Sequence, residues 1–105
     1  MIQGTTPILH YNLNFSTSLI KSAEITLQYN DSLKNVFIVK STKNGECEFG
    51  EMSISARLTQ EETLRLPAPA FAKVQLRVVT NDDAVLATEP YIISVKELLK
   101  KDVIE

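Results

Sequence analysis

The sequence predicts an all-β protein, an antiparallel β-sandwich of about seven strands with an immunoglobulin-like or Greek-key arrangement. Apolar and polar residues alternate strictly over residues 9–15, 23–29 and 73–78, as expected when one face of a strand meets a core and the other meets water. Turn-forming residues separate such segments at intervals of about ten residues. An open barrel is the alternative, whereas a parallel α/β fold is excluded because no crossover helix is available.

The first two strands are expected at residues 8–15 and 22–29, and the second has the cleanest alternation in the chain. Small hydroxyl residues at 16–18 end the first strand and Asn30-Asp31-Ser32 ends the second, because these side chains bond locally to turn backbone. The side chains predicted to face the core are Leu9, Tyr11, Leu13, Phe15, Ala23, Ile25, Leu27 and Tyr29.

The third strand is expected at residues 34–40 and differs from the others in being apolar on both faces. Its centre, Val36-Phe37-Ile38-Val39, has no alternation. Such a run indicates a central strand or one covered on both sides. Lys43-Asn44-Gly45 follows it and predicts a tight hairpin turn, because Asn-Gly accepts positive φ.

A helical corner is predicted after two short strands at residues 46–49 and 52–58. Thr59 and Glu62 have the spacing of a capping box, which opens a single helical turn near 59–63. Pro67-Ala68-Pro69 prevents a longer helix, so we expect a corner that links one sheet to the other. The inward side chains of the second short strand are Met52, Ile54, Ala56 and Leu58.

The last strands are expected at residues 72–80 and 84–95, separated by a turn at Asn81-Asp82-Asp83. Pro90 removes a ladder donor, so the final strand is an edge or contains a bulge. The sandwich is predicted to be one domain, residues 1–95, and residues 96–105 form a C-terminal tail, either a brief helix or an extended arm. The inward residues of the first of these strands are Val74, Leu76 and Val78.

The composition indicates no nucleic-acid partner and no membrane association. Eleven Lys and Arg residues against thirteen Asp and Glu residues give a net charge of −2, without the clustered positive surface that nucleic acid or an anionic membrane requires. Residues 1–7 lack the basic and apolar regions of a signal peptide, and no stretch has the roughly eighteen apolar residues of a membrane span. The single Cys47 cannot form an intramolecular disulfide, and reducing conditions or late assembly fit it better than a small secreted domain, which would more often carry several disulfides.

Candidate residues for chemistry are sparse. One His and one Cys cannot build a zinc site, and the Asp82-Asp83 pair fits a hydrophilic turn better than a calcium site, which needs more ligands. A hydroxyl nucleophile needs a base, but His10, the sole imidazole, lies on the polar face of the first strand. Glu46 and Glu48 flank Cys47 and oppose formation of a thiolate. We therefore expect no enzyme, no metal and no cofactor.

The apolar tail is the feature that a self-contained sandwich does not explain. Its apolar residues alternate with charged ones beyond the last strand. The tail either folds back to cap one end of the sandwich or docks on a protein partner or a second copy, as an added strand or a short helix. The residues predicted for docking are Leu98, Leu99, Val103 and Ile104.

Four segments, residues 1–7, 13–21, 58–64 and 74–78, resemble short uncharacterised proteins encoded in prophages and mobile elements of gut Firmicutes. The Leu-Thr-Gln-Glu-Glu-Thr-Leu corner at 58–64 is the most specific of them. Proteins of this kind commonly have glycine where this chain has Asn81-Asp82-Asp83. The resemblance implies a small β-sandwich tied to a phage tail or baseplate, made in the bacterial cytoplasm before assembly into the virion, and it implies no catalytic residue.

Two functions from different classes are compatible with these observations. The first is a structural or accessory protein of a phage-derived element, acting as an assembly module. The alternative is a carbohydrate or cell-surface ligand module, because β-sandwiches often carry such sites on a sheet face or on end loops. That alternative requires an exposed aromatic platform or a calcium ion, whereas the strand positions of Tyr11, Tyr29 and Tyr91 predict that these rings pack in the core.

Overall fold

The computed structural model describes residues 1–31 and 33–105 as two antiparallel β-sheets that share one core. Ser32, the third of the turn formers predicted after the second strand, lies outside the described residues. The elements are β1 (Ile8–Asn12), a 3-10 turn (Thr17–Leu19), β2 (Ile20–Asn30), β3 (Asn35–Ser41), β4 (Cys47–Phe49), β5 (Ser53–Arg57), α1 (Gln60–Leu64), β6 (Ala70–Thr80), β7 (Val85–Ala87) and β8 (Tyr91–Val95).

The two sheets confirm the predicted all-β sandwich. The smaller sheet has the order β1-β5-β4, and the larger has the order β3-β2-β6, with both β7 and β8 paired to β6. The chain crosses between sheets from β3 to β4 and returns through α1 to β6. Within the described residues there are eight strands rather than seven, because the segment predicted as a final strand is divided around Pro90 into β7 and β8.

Alternation on β2 and β6 builds the centre of the core. Ile25 lies opposite Leu76 and Leu27 opposite Val74 in the ladder between these strands, and all four side chains are buried. Residues directly opposite each other in a ladder share a face of the sheet, so a single register places every second residue of both strands inside. The inward face predicted for these strands is confirmed.

The expectation for the third strand is wrong. β3 pairs with β2 at the end of the larger sheet, and no other strand of the described residues pairs with it. Val36 and Ile38 are buried, but Phe37 is 57% exposed and Val39 38% exposed. A run that is apolar on both faces can therefore be an edge strand with an uncovered outer face, and periodicity alone does not separate these cases.

Two turns use residues in the left-handed region. Gly45 has a φ of +69° and closes the turn from β3 to β4, where its N–H donates to the carbonyl of Thr42. Asp83 has a φ of +65° in the turn before β7, a conformation that Asp tolerates better than most residues. In the Asn81-Asp82-Asp83 turn, Asp83 thus takes the positive φ that glycine often supplies.

The helical corner is confirmed in detail. The hydroxyl of Thr59 accepts from the N–H of Glu62 at 3.1 Å, and a carboxylate oxygen of Glu62 accepts from the N–H of Thr59 at 2.8 Å. The two residues form the predicted capping box. Met52, in contrast, was predicted to face inward but lies exposed, because β5 begins one residue later at Ser53.

Candidate docking site at the C-terminal tail

The tail, residues 96–105, lies at one end of the sandwich beside the first residues of the chain. The N–H of Lys96 donates to the carbonyl of Met1 at 2.7 Å, and the N–H of Gln3 donates to the carbonyl of Lys96 at 3.0 Å. These bonds form a short parallel bridge. The tail therefore begins as part of a small ladder added to the outer edge of β8.

Gln3 ties the tail to the helical corner. Its side chain is 4% exposed, and its amide nitrogen donates to the carbonyl of Leu66 just beyond α1. Its amide oxygen accepts from the N–H of Leu98 at 3.3 Å. A buried amide needs both kinds of partner, so Gln3 fixes the tail at Leu98. Nothing in the local pattern of residues 1–7 predicts this role.

Gly4 provides the space into which Leu98 packs. Its φ of +72° lies in the left-handed region, and a Cβ placed there would lie 2.6 Å from Cδ2 of Leu98 and 3.3 Å from Cδ2 of Leu64. The Leu98 side chain is half-buried as a result. For this residue the tail folds back onto the sandwich, the first of the two predicted alternatives.

A second anchor lies near the end of the tail. The side-chain amide of Gln60, at the start of α1, donates to the carbonyl of Ile104 at 2.9 Å. Its oxygen accepts from the N–H of Ile104 at 2.8 Å. This reciprocal pair occupies both main-chain groups of one residue, in the way a neighbouring strand would.

Between and around these anchors the apolar side chains point to solvent. Leu99 is fully exposed, Ile104 is 77% exposed and Val103 is also exposed. The structure thus divides the four predicted docking residues into one that packs inward, Leu98, and three that are presented outward. The tail contains neither the brief helix nor a strand of either sheet.

The charged side chains of the tail face water. Lys101 lies 3.4 Å from Glu97, and Lys100 lies 3.4 Å from Asp102. Exposed pairs of this kind contribute little to stability. They leave the tail with exposed apolar residues beside paired charges of both signs.

The candidates for nucleophilic chemistry remain apart in the structure. His10 is exposed on β1, where Nε2 lies 3.0 Å from Oδ1 of Asn12. Burial raises the pKa of the half-buried Cys47 thiol, and the nearby Glu46 carboxylate raises it further. A raised pKa disfavours the thiolate that a nucleophile requires. Among residues 1–31 and 33–105, no three His, Cys, Asp or Glu side chains are grouped to hold a metal ion.

A buried ion pair joins β3 to the helical corner and is not predicted by the sequence. Lys40, at the end of β3, is 7% exposed and its ammonium lies 2.8 Å from a carboxylate oxygen of Glu62. Burial raises the pKa of Glu62, but hydrogen bonds from Lys40 and from the Thr59 N–H outweigh it and hold the pKa below its usual value. The pair fixes the edge of the larger sheet to the corner that anchors the tail.

Several aromatic side chains are exposed at the surface. Phe71 is 70% exposed and shares the outer face of the larger sheet with Phe37. The ring of Tyr91 lies 5.7 Å from that of Tyr11. The packing predicted for the tyrosines holds for Tyr11 and Tyr29, which lie half-buried against the core, but Tyr91 is exposed.

No helix within the described residues is both long and apolar enough to cross a membrane. No protein-family model, curated protein or solved structure matches this chain.

Proposed function

We propose that the protein is a non-enzymatic structural or accessory module of a phage-derived element, which docks on a neighbouring protein of the particle through its tail. The observation that carries this proposal is the arrangement of Leu99, Val103 and Ile104, three exposed apolar side chains on a segment whose backbone is anchored at both ends. The protein is made in the bacterial cytoplasm and then joins the particle.

The anchors favour binding by lowering its entropic cost. A free tail loses conformational freedom on every immobilised residue when it binds. Here Gln3 holds the backbone at Leu98 and Gln60 holds it at Ile104, so the residues between them are already restricted. A partner with an apolar groove would then bury Leu99 and Val103 at a reduced cost of ordering.

The phage connection is supported by the resemblance in residues 58–64 and the three other segments, and by the sparse active-site chemistry. His10, Cys47 and the Asp82-Asp83 turn lie on different elements. A protein that acts through its surface needs no such grouping, and its tail supplies the apolar contacts that interface cores require.

The tail is best tested with point variants, because truncation after Val95 would also remove the Lys96 bonds to Met1 and Gln3. A variant carrying Leu99→Asp and Val103→Asp should lose binding to the proteins encoded beside it, measured by co-purification and light scattering. Leu33→Asp is the matched control, since Leu33 is as exposed as Leu99 but lies beside β3. Equal binding of the tail variant and the wild type would disprove the proposal, as would failure of the wild type to bind any neighbouring phage protein.

A carbohydrate or cell-surface ligand module is a second candidate, which the outer face of the larger sheet supports. A depression of about 410 Å³ there is lined by Phe37 beside polar side chains such as Gln28, Gln75 and Arg77. An aromatic ring with adjacent amides can stack on a sugar and bond to its hydroxyls. Oligosaccharide titrations followed by NMR should shift the Gln28 and Gln75 amides, and Phe37→Ala should abolish the shifts. If oligosaccharides leave these signals unchanged, this candidate is wrong.

A further inference from the structure

The edge of β3 that faces away from β2 carries backbone N–H and C=O groups that the hydrogen-bond pattern identifies. The N–H of Asp31 donates to the carbonyl of Lys34, and the N–H of Thr42 donates to the carbonyl of Ala23. At both ends of the β2–β3 ladder the bonded residue of the β3 side therefore has an even number. Alternate residues of an antiparallel strand bond to opposite neighbours. The even-numbered residues of β3 therefore bond to β2, and the N–H and C=O groups of Asn35, Phe37 and Val39 point away from the sheet.

The length of this free edge is set by Glu46. Its N–H donates to the carbonyl of Ser41 at 3.1 Å, and its carboxylate accepts from the N–H of Ser41 at 3.2 Å. The end of β3 is thereby closed. The segment that remains open runs over residues 35–39 and has Phe37 at its centre.

The open segment has none of the features with which proteins usually protect an edge. Short length, charged side chains, proline and covering segments normally prevent strands from pairing with other molecules. Residues 35–39 contain no charge and no proline, and the outer side chains of Phe37 and Val39 are exposed apolar groups.

The other edges differ in this respect. Met1 and Gln3 cover the outer edge of β8 at Ser94 and Lys96. The strands β4 and β7 have three residues each, and β4 includes the charged Glu48. The edge strand β1 follows Pro7, and its exposed side chains include the polar His10 and Asn12. Within the described part of the chain, β3 is thus the edge best suited to pairing.

We propose that two copies of this chain pair through β3 about a twofold axis at Phe37, which joins their larger sheets into one continuous sheet. Phe37 then lies opposite Phe37 of the second copy, and Asn35 lies opposite Val39. The outward groups of these residues form about six N–H···O bonds, the number given by three bonded residue pairs in an antiparallel ladder.

A second copy fits this edge better than an unrelated strand. The segment is self-complementary, because a twofold axis through its central residue matches each free donor with a free acceptor. The two Phe37 rings meet on the outer face, with Val39 as their diagonal neighbour. Lys34 and Lys40 flank the segment and lie opposite each other across the axis. Lys40 is withdrawn beneath the sheet and its charge is paired with Glu62, and residues 35–39 themselves carry no charge.

Sedimentation over a range of concentrations tests the pairing. We expect a reversible dimer for the wild type and a monomer for Phe37→Lys, which adds a charge at the axis. Phe71→Lys is the matched control, since Phe71 is more exposed than Phe37 on the same outer face but lies on β6. Circular dichroism shows whether each variant is folded. A wild type that stays monomeric, one that forms open-ended oligomers, or equal dissociation by both variants would overturn the proposal.

Cross-linking tests the register independently of dimer affinity. In a Cys47→Ser background, Phe37→Cys should form an intermolecular disulfide with oxidised glutathione as the oxidant, because bonded antiparallel pairs have Cα atoms about 5.5 Å apart. Asn35→Cys should form none, because it lies opposite Val39. Cross-linking of the Asn35 variant in preference to the Phe37 variant would overturn this register. A dimer that is lost in Leu99→Asp but retained in Phe37→Lys would overturn the proposal, because the contact would then involve the tail and not β3.

Discussion

The ammonium nitrogen of Lys40 lies 2.8 Å from Oε1 of Glu62, and this pair joins the edge strand β3 to the helical corner α1. A carboxylate oxygen of Glu46 lies 3.8 Å from the same Lys40 nitrogen. Breaking a buried pair on one side leaves an uncompensated charge, which destabilises more than removal of both partners. The pair therefore offers a direct measure of how firmly the edge is attached to the corner.

Glu62→Gln should lower the free energy of unfolding by about 2 kcal/mol, because Lys40 then keeps only the more distant Glu46. The value is below that of a fully buried pair since Glu62 remains partly exposed. Urea denaturation measures the change. The double variant Lys40→Met with Glu62→Gln should recover most of the loss. Equal stability of the single and double variants would show that the charge of Lys40 does not need this partner.

Acid should weaken the fold through the same residue. The pKa of Glu62 is held below its ordinary value of 4.5 in the folded state, so the unfolded chain binds a proton more readily. Its contribution is present above about pH 4.5 and is lost as the pH falls through the folded pKa. Urea midpoints measured between neutral and acid pH should fall less steeply for Glu62→Gln than for the wild type. Parallel curves would contradict this linkage.

Tyr11→Phe should raise the free energy of unfolding by about 1 kcal/mol. The hydroxyl of Tyr11 is buried; side-chain oxygens of Thr88 and Tyr91 lie near it, but among the described residues neither they nor any other group makes a hydrogen bond of good geometry with it. Tyr29→Phe is the matched control, because its hydroxyl donates to Asp31 at the surface. Urea denaturation should show a gain for the first variant alone, and a loss for Tyr11→Phe would mean that its hydroxyl is satisfied.

The same tyrosine predicts the response to alkali. Burial raises the pKa of Tyr11 to about 12, from an ordinary value of 10.0. Above pH 10 the unfolded chain releases this proton while the folded chain retains it, so stability falls as the pH rises through the folded value. The wild type should lose stability more steeply than Tyr11→Phe above pH 10, measured by urea midpoints.

Gly4→Ala should loosen the tail. The added Cβ would lie 2.6 Å from Leu98, so the Leu98 side chain must move and its N–H bond to Gln3 must weaken. Gly45→Ala is the matched control, because its φ of +69° carries the same backbone strain while nothing lies within 4 Å of the added atom. Hydrogen exchange at the Leu98 amide should accelerate in the first variant and remain unchanged in the second.

The residues that the sequence placed correctly depend on local patterns. Ile25 and Leu76 lie in runs whose alternation sets their face whichever strands are neighbours. The α1 corner depends on Thr59 and Glu62, three positions apart, so its capping box can be read directly. The structure therefore agrees with the patterns whose physical cause lies in residues that are close in sequence.

The features that escaped prediction depend on distant partners. Gln3 bonds to Leu66 and Leu98, which lie 63 and 95 positions further along the chain. The exposure of Phe37 depends on which strands flank β3, and the residues of β3 do not specify its neighbours. The candidate docking site was located through the tail's apolar residues, but its anchors required the fold.

Gln60→Ala should release the end of the tail while leaving its beginning in place. The variant removes both bonds to Ile104, but Leu98 keeps its bond to Gln3. We expect faster hydrogen exchange at the Ile104 amide, unchanged exchange at Leu98, and a loss of about 0.5–1 kcal/mol in unfolding free energy. Glu61→Ala, at the exposed neighbouring position, is the control. Because a freed segment must be ordered again on binding, the variant should also bind the docking partner more weakly; tighter binding would mean that the Gln60 contact opposes docking.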